Sequence, residues 1–97
     1  MDKHTVKKIT LAVMEEYEVT CLDLLGGCRI QPLAFARQVA MSLCYEYGNL
    51  SSTRVGVLFG GRCHGTVLHA RKVVTRKLET DEEERIRIKK ITVSLND

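Results

Sequence analysis

Apolar residues in this chain recur every three or four positions, in stretches punctuated by glycine, and that pattern admits little besides a small helical domain. Val6, Ile9, Val13 and Tyr17 keep helical spacing with lysine and glutamate between them, which predicts an amphipathic helix over 3–16. After a break at Glu18-Val19, the Thr20 hydroxyl can cap a brief helix over 21–25, with Asp23 favouring its N-terminal dipole and Gly26-Gly27 ending it. Residues 28–31 read as a loop, and Pro32 suits the first turn of the next helix, where a missing N–H costs nothing. From Leu33 to Tyr47 apolar residues cover all but one arc, which holds Arg37, Gln38, Ser42, Tyr45 and Glu46; this is the expected central helix, stopped at Gly48. Ser51 is the expected cap of a short helix over 52–59, and Gly60-Gly61 permit a tight turn into a long helix from Arg62 or Cys63 to Leu78.

The last segment fits two periods. Thr80-Asp81-Glu82-Glu83 forms a capping-box pattern, and Ile88, Ile91 and Leu95 continue at helical spacing. Ile86, Ile88, then Ile91, Val93 and Leu95 also alternate at strand period around a break. A lone strand would have nothing to pair with here, so a helix is expected over 81–95. The 97 residues are then one all-α domain of about six helices, spanning 1–97, with a helix-turn-helix over about 51–78. No apolar run is long enough to span a membrane, and the N-terminus lacks the apolar core of a signal peptide.

Net charge is only +3, but its distribution is uneven. Between Leu24 and Leu78 the sole acid is Glu46, against Arg29, Arg37, Arg54, Arg62, Arg71, Lys72, Arg76 and Lys77. Such a run fits either a solvated surface or a polyanion partner. On a helical wheel from Arg62, the residues Val67, Ala70, Val74 and Leu78 form one apolar line, while Arg62, His69, Lys72 and Arg76 cluster within roughly 80° on the opposite side. Cys63, His64, Gly65 and Thr66 occupy the first turn, where side chains and unpaired N–H groups project forward, as in a recognition helix.

Other chemistries fit less well. Cys63-His64 could pair a thiol with a base, but sequence neighbours on a helix point about 100° apart and no orienting acid is near. Cys21, Cys28, Cys44 and Cys63 lack the close-pair spacing of a zinc site and read as reduced thiols of a cytosolic protein. Gly60-Gly61-Arg62 lacks the Gly-Lys-Ser/Thr of a phosphate-binding loop. Two phenylalanines, three tyrosines and no tryptophan make a poor stacking platform for single strands. The Asn49-Leu50-Ser51 sequon carries no weight in a cytosolic chain. No enzyme activity, metal, cofactor or nucleotide is expected.

The run Phe59-Gly60-Gly61-Arg62-Cys63-His64-Gly65-Thr66-Val67-Leu68-His69-Ala70 resembles the signature of the C-terminal DNA-binding domain of the bacterial replication initiator DnaA, a Trp-repressor-like helix-turn-helix domain. Ala36-Arg37-Gln38-Val39-Ala40-Met41 resembles that family's central helix, with Asp23-Leu24-Leu25 before it and residues 51–56 as the first helix of the motif. The resemblance implies binding to double-stranded DNA at short asymmetric boxes, with the helix near Arg62 in the major groove. It makes Arg29 the minor-groove arginine and places Cys63, His64 and Gly65 at base-reading positions. Arg37, Gln38, Thr66, His69 and Lys72 fall where the family contacts or supports phosphates, and Thr53, Arg54 and Arg62 complete the expected DNA-binding set.

The departures also carry expectations. Cys63 stands where the family usually has aspartate, and Gly65 where it has serine or threonine, so relaxed or altered sequence preference is expected. Arg54, at a position commonly acidic in the family, should raise non-specific affinity. The family's ATPase has no counterpart in these residues, and a free-standing relative is expected rather than an excised domain. The expected setting is the cytoplasm, at the nucleoid, in replication initiation or its regulation, with the initiator or another replication protein as a second partner. The competing expectation is a protein-interaction module or transcriptional regulator on the same fold, with reduced DNA specificity.

Overall fold

A computed structural model describes residues 3–26 and 33–95, with side chains from residue 5 onward. The chain forms α1 (Lys3–Tyr17), α2 (Cys21–Leu25), α3 (Leu33–Tyr47), α4 (Ser52–Leu58), α5 (His64–Thr80) and α6 (Glu82–Ser94), with no strand among the described residues. Among the described residues no helix is long and apolar enough to cross a membrane.

Helix α3 is the hub, packing against α1, α2, α4 and α5. Its Phe35, Val39, Ala40, Met41, Leu43 and Cys44 meet Ile9 and Val13 of α1, Leu24 of α2, Val55 of α4 and the Val67, Ala70 and Val74 line of α5 in one buried cluster. Each valine, leucine or isoleucine taken out of water there contributes about 1.5–3 kcal/mol. Burial also pushes the Cys44 thiol up to about 12, so it acts as a small apolar core residue.

The ends of the elements are set locally. Thr20 and Asp23 form a reciprocal capping box on α2: the Asp23 N–H donates to Thr20 Oγ1 at 3.1 Å and the Thr20 N–H to Asp23 Oδ2 at 2.8 Å. Ser51 caps α4, its Oγ accepting from the Arg54 N–H at 3.1 Å. Residues 81–95 settle as helix. Asp81 rather than Thr80 is the cap, accepting from the Glu84 N–H at 3.2 Å, while Thr80 still belongs to α5. Ile88 and Ile91 of α6 are buried, and the Tyr17 hydroxyl donates to Glu84 Oε1 at 2.7 Å, fastening α6 to α1.

Between α4 and α5 the chain reverses at Gly60 and Gly61, with φ of +85° and +74°. These lie in the left-handed region that side chains avoid. The turn also packs closely onto α4: a Cβ on Gly56 would stand 2.0 Å from the Arg62 carbonyl oxygen, and the Arg62 N–H donates to the Gly56 carbonyl at 2.8 Å. Glycine at position 56 thus lets the two helices of the motif approach.

Candidate nucleic-acid interface

Two differences from the sequence reading fix the start of α5. The helix begins at His64, not at Arg62 or Cys63; Cys63 is its N-cap, and Phe59, expected inside α4, is that helix's C-cap. Before it the Arg62 backbone is held in the glycine turn, its N–H donating to the Gly56 carbonyl at 2.8 Å. The Arg62 guanidinium turns back, donating through Nη1 to the Phe59 carbonyl and through Nη2 to the Gly26 carbonyl at the end of α2. Burial, and after it the neighbouring Arg37 charge, holds Arg62 below its ordinary value.

Arg37 is the second guanidinium at this junction. It is only 6% exposed, donating through Nε to the Leu24 carbonyl at 3.1 Å and through Nη2 to the Asp23 carbonyl at 2.9 Å. A five-residue helix leaves its last carbonyls without intrahelical donors, and two arginines from α3 and the turn supply them. Arg37 therefore lies where it can support an interface and not where it can touch a phosphate. Elsewhere on the polar arc of α3, Ser42 is buried as well, Gln38 and Tyr45 are half-buried and Glu46 is exposed.

The first turn of α5 is open. Cys63, His64, Gly65 and Thr66 are all exposed, as are His69 and Lys72 further along and Thr53 and Arg54 on α4. Gln38 is half-buried beside Arg37 in sequence, and Arg29 lies outside the described residues. Cys63 makes no side-chain cap to the helix backbone; its Sγ lies 3.3 Å from Thr66 Oγ1. The Thr66 hydroxyl, and after it the amides of the first turn, hold the thiol below its ordinary value. The thiol's hydrogen-bond partner is thus a hydroxyl, which lacks the basicity a nucleophilic cysteine needs from its neighbour.

Beyond the first turn, Leu68, Arg71, Lys72, Thr75, Arg76 and Glu79 line a shallow groove of about 480 Å³ along the outward face of α5. Arg71 is partly neutralised there, its Nε donating to Glu46 Oε1 at 3.0 Å while its guanidinium stacks 5.6 Å over the Tyr45 ring. Arg71, Thr75 and Arg76 were absent from the expected contact set. The helical wheel that selects Lys72 already places Arg76 beside it, whereas the pairing of Arg71 with the region's sole acid needs the α3–α5 packing.

The family model described as "Bacterial dnaA protein helix-turn-helix" matches residues 6–74. The chain belongs to the bacterial DnaA helix-turn-helix family. Its DnaA relatives include the chromosomal replication initiator protein DnaA of Methylacidiphilum infernorum, 41% identical over 91 residues, covering 94% of this chain and 20% of that protein. The DnaA of Leifsonia xyli is 46% identical over 65 residues, 67% of this chain and 14% of its own length. That of Lactococcus lactis subsp. cremoris is 40% identical over 77 residues, 79% and 17% of the respective lengths. The chain thus spans a fifth or less of the DnaA proteins it matches. The matched segment ends at residue 74, so it includes α4, the turn and the first eleven residues of α5 but not α6.

Proposed function

We propose that this chain binds double-stranded DNA in replication initiation or its regulation, laying the first turn of α5 in the major groove. The observation that carries this reading is the exposed, acid-free start of α5, with Cys63, His64, Gly65 and Thr66 at its tip and His69, Lys72 and Arg76 continuing outward. Thr53 and Arg54, exposed on the preceding α4, suit the phosphate backbone, while Arg37 and Arg62 act behind the tip by holding α2 to α3 and to the turn. Membership of the DnaA helix-turn-helix family supports the same reading.

Sequence preference is relaxed or altered. Cys63 and Gly65 offer the base edges a weak thiol and no side chain, and one good base contact is worth about 1–3 kcal/mol of discrimination. Arg29 supplies the minor-groove contact, and the initiator itself or another replication protein is a second partner at the nucleoid.

Fluorescence anisotropy with two duplexes, one carrying an initiator-type box and one scrambled, titrated at several salt concentrations, tests this. Each neutralised phosphate should add about −0.9 to the log–log salt slope on both duplexes, with only a modest preference for the box. Full discrimination would refute the relaxed preference; absence of binding at low salt would refute the DNA reading and favour a protein-interaction module.

A further inference from the structure

Helix α6 carries an apolar strip on its outer side that none of the described residues covers. Ile86 and Val93 are 53% and 54% exposed and, with Lys89, Lys90 and Ser94, line a surface groove of about 410 Å³. At about 100° per residue this strip lies diametrically opposite Ile88 and Ile91, the residues that anchor α6 to the core, so it points straight away from the body of the domain. Its flanks are charged in a fixed pattern. Glu82 and Lys89 run along one side and Glu83 and Lys90 along the other, all four exposed.

That pattern is complementary to itself in one orientation. When two such helices meet face to face and antiparallel, related by a two-fold axis, each flank faces the same flank of its mate. With Ile86 against Ile86, Glu82 meets Lys89 on one side and Glu83 meets Lys90 on the other, each twice, giving four ion pairs around an apolar centre. The two sets of pairs centre half a residue to either side of Ile86, so one register serves both. In the parallel orientation the opposite flanks meet instead, setting Glu82 against Glu83 and Lys89 against Lys90, which repel. Existing contacts do not compete strongly: Glu82 has an exposed contact with Arg85 at 3.5 Å, and Lys90 reaches Glu16 only at 3.9 Å.

We propose that α6 is a self-association surface, on which a second copy of this chain docks antiparallel through Ile86 and the two Glu/Lys flanks. One helix face covers well under the roughly 800 Å² per partner of a standard interface, so association is weak, with a dissociation constant on the order of 10⁻⁴ M, and it weakens further with salt. The N-terminal tip of α5 takes no part, so each copy in the pair keeps its own reading end.

Sedimentation equilibrium of the whole chain, from micromolar concentrations to about 2 mM at low and high salt, tests this, with charge-swapped variants as the decisive arm. Lys89→Glu/Lys90→Glu leaves the first turn of α6 untouched; Glu82→Lys/Glu83→Lys reverses the other half, and circular dichroism checks that both remain helical. Each variant alone should be at least tenfold less associated than the parent chain, and an equimolar mixture should regain association. A parent chain that stays monomeric throughout would overturn the proposal and leave the strip to a different protein. Association unaffected by either swap, or not regained on mixing, would overturn it equally.

Discussion

Cys63→Asp should change two separable properties of the chain, because position 63 is at once the N-cap of α5 and a base reader in the proposed complex. Cysteine makes no side-chain cap there, and its backbone already has cap geometry, φ −76° and ψ 161°. An aspartate carboxylate can accept from the first-turn amides without any backbone change, and it faces the positive end of a seventeen-residue helix. A good cap at a site that has none is worth about 1 kcal/mol, which raises the melting temperature of a domain this size by roughly 4–8 °C. The second effect is on DNA. A restored hydrogen bond to a cytosine amino group is worth about 1–3 kcal/mol, or a five- to 150-fold gain for an initiator-type box over scrambled duplex. Random duplex should bind more weakly, because a negative charge now sits among phosphates. Differential scanning calorimetry reads the first effect and competition anisotropy the second. Cys63→Asn separates them, keeping most of the cap without the charge. An unchanged melting temperature would refute the capping argument, and a stabilised variant with unchanged box preference would refute the placement of residue 63 at the base edges.

Glu46→Gln should release Arg71 for the polyanion, steepening the log–log salt slope by up to about 0.9 with a few-fold gain in affinity for any duplex; an unaltered slope would mean that Arg71 does not reach a phosphate. Arg37→Met should cost about 2–4 kcal/mol in urea unfolding, since it strips charge-assisted donors from the buried Leu24 carbonyl and the half-buried Asp23 carbonyl; a loss below about 1 kcal/mol would contradict the bracing role. Gly60→Ala should destabilise more than Gly61→Ala, although both glycines have positive φ, because only at Gly60 would a Cβ meet backbone, 2.5 Å from the Leu25 carbonyl oxygen; equal losses would show that the turn relaxes freely. Mass-resolved alkylation of the folded chain should modify Cys63 before Cys21 and leave Cys44 unmodified. The Cys63 advantage should shrink as pH rises and ordinary thiols also ionise.

Much of this fold is written in short-range pattern. The bounds of α2 and α3, the Thr20 capping box, the Ser51 cap and the buried line of α5 follow from residues within one or two turns of each other, where spacing and hydrogen-bonding chemistry act directly. What escaped the sequence reading is set by distant parts of the chain. The Arg62 guanidinium is held by a carbonyl 36 residues away, and Arg37 is buried where it donates to the last carbonyls of a short helix. Neither contact leaves a local trace, so both arginines read as surface cations. The last segment was ambiguous for a related reason: its β-branched residues favour a strand by propensity, and packing of Ile88 and Ile91 on the core, with Tyr17 on Glu84, decides for helix. At the candidate site, the open first turn of α5 was legible from glycine placement and charge, while the pairing of Arg71 with Glu46 appears only when α3 and α5 are in contact.

The most direct test of the central claim is a heteronuclear NMR titration of the whole chain with a short duplex, followed residue by residue through the amide signals. The predicted result is that the largest shifts fall on His64, Gly65, Thr66, His69 and Lys72, with smaller ones at Thr53 and Arg54, and that Ile88 and Ile91 in α6 stay unmoved. Shifts centred on α1 or α6 with a silent first turn of α5 would contradict the assignment of that turn as the reading end.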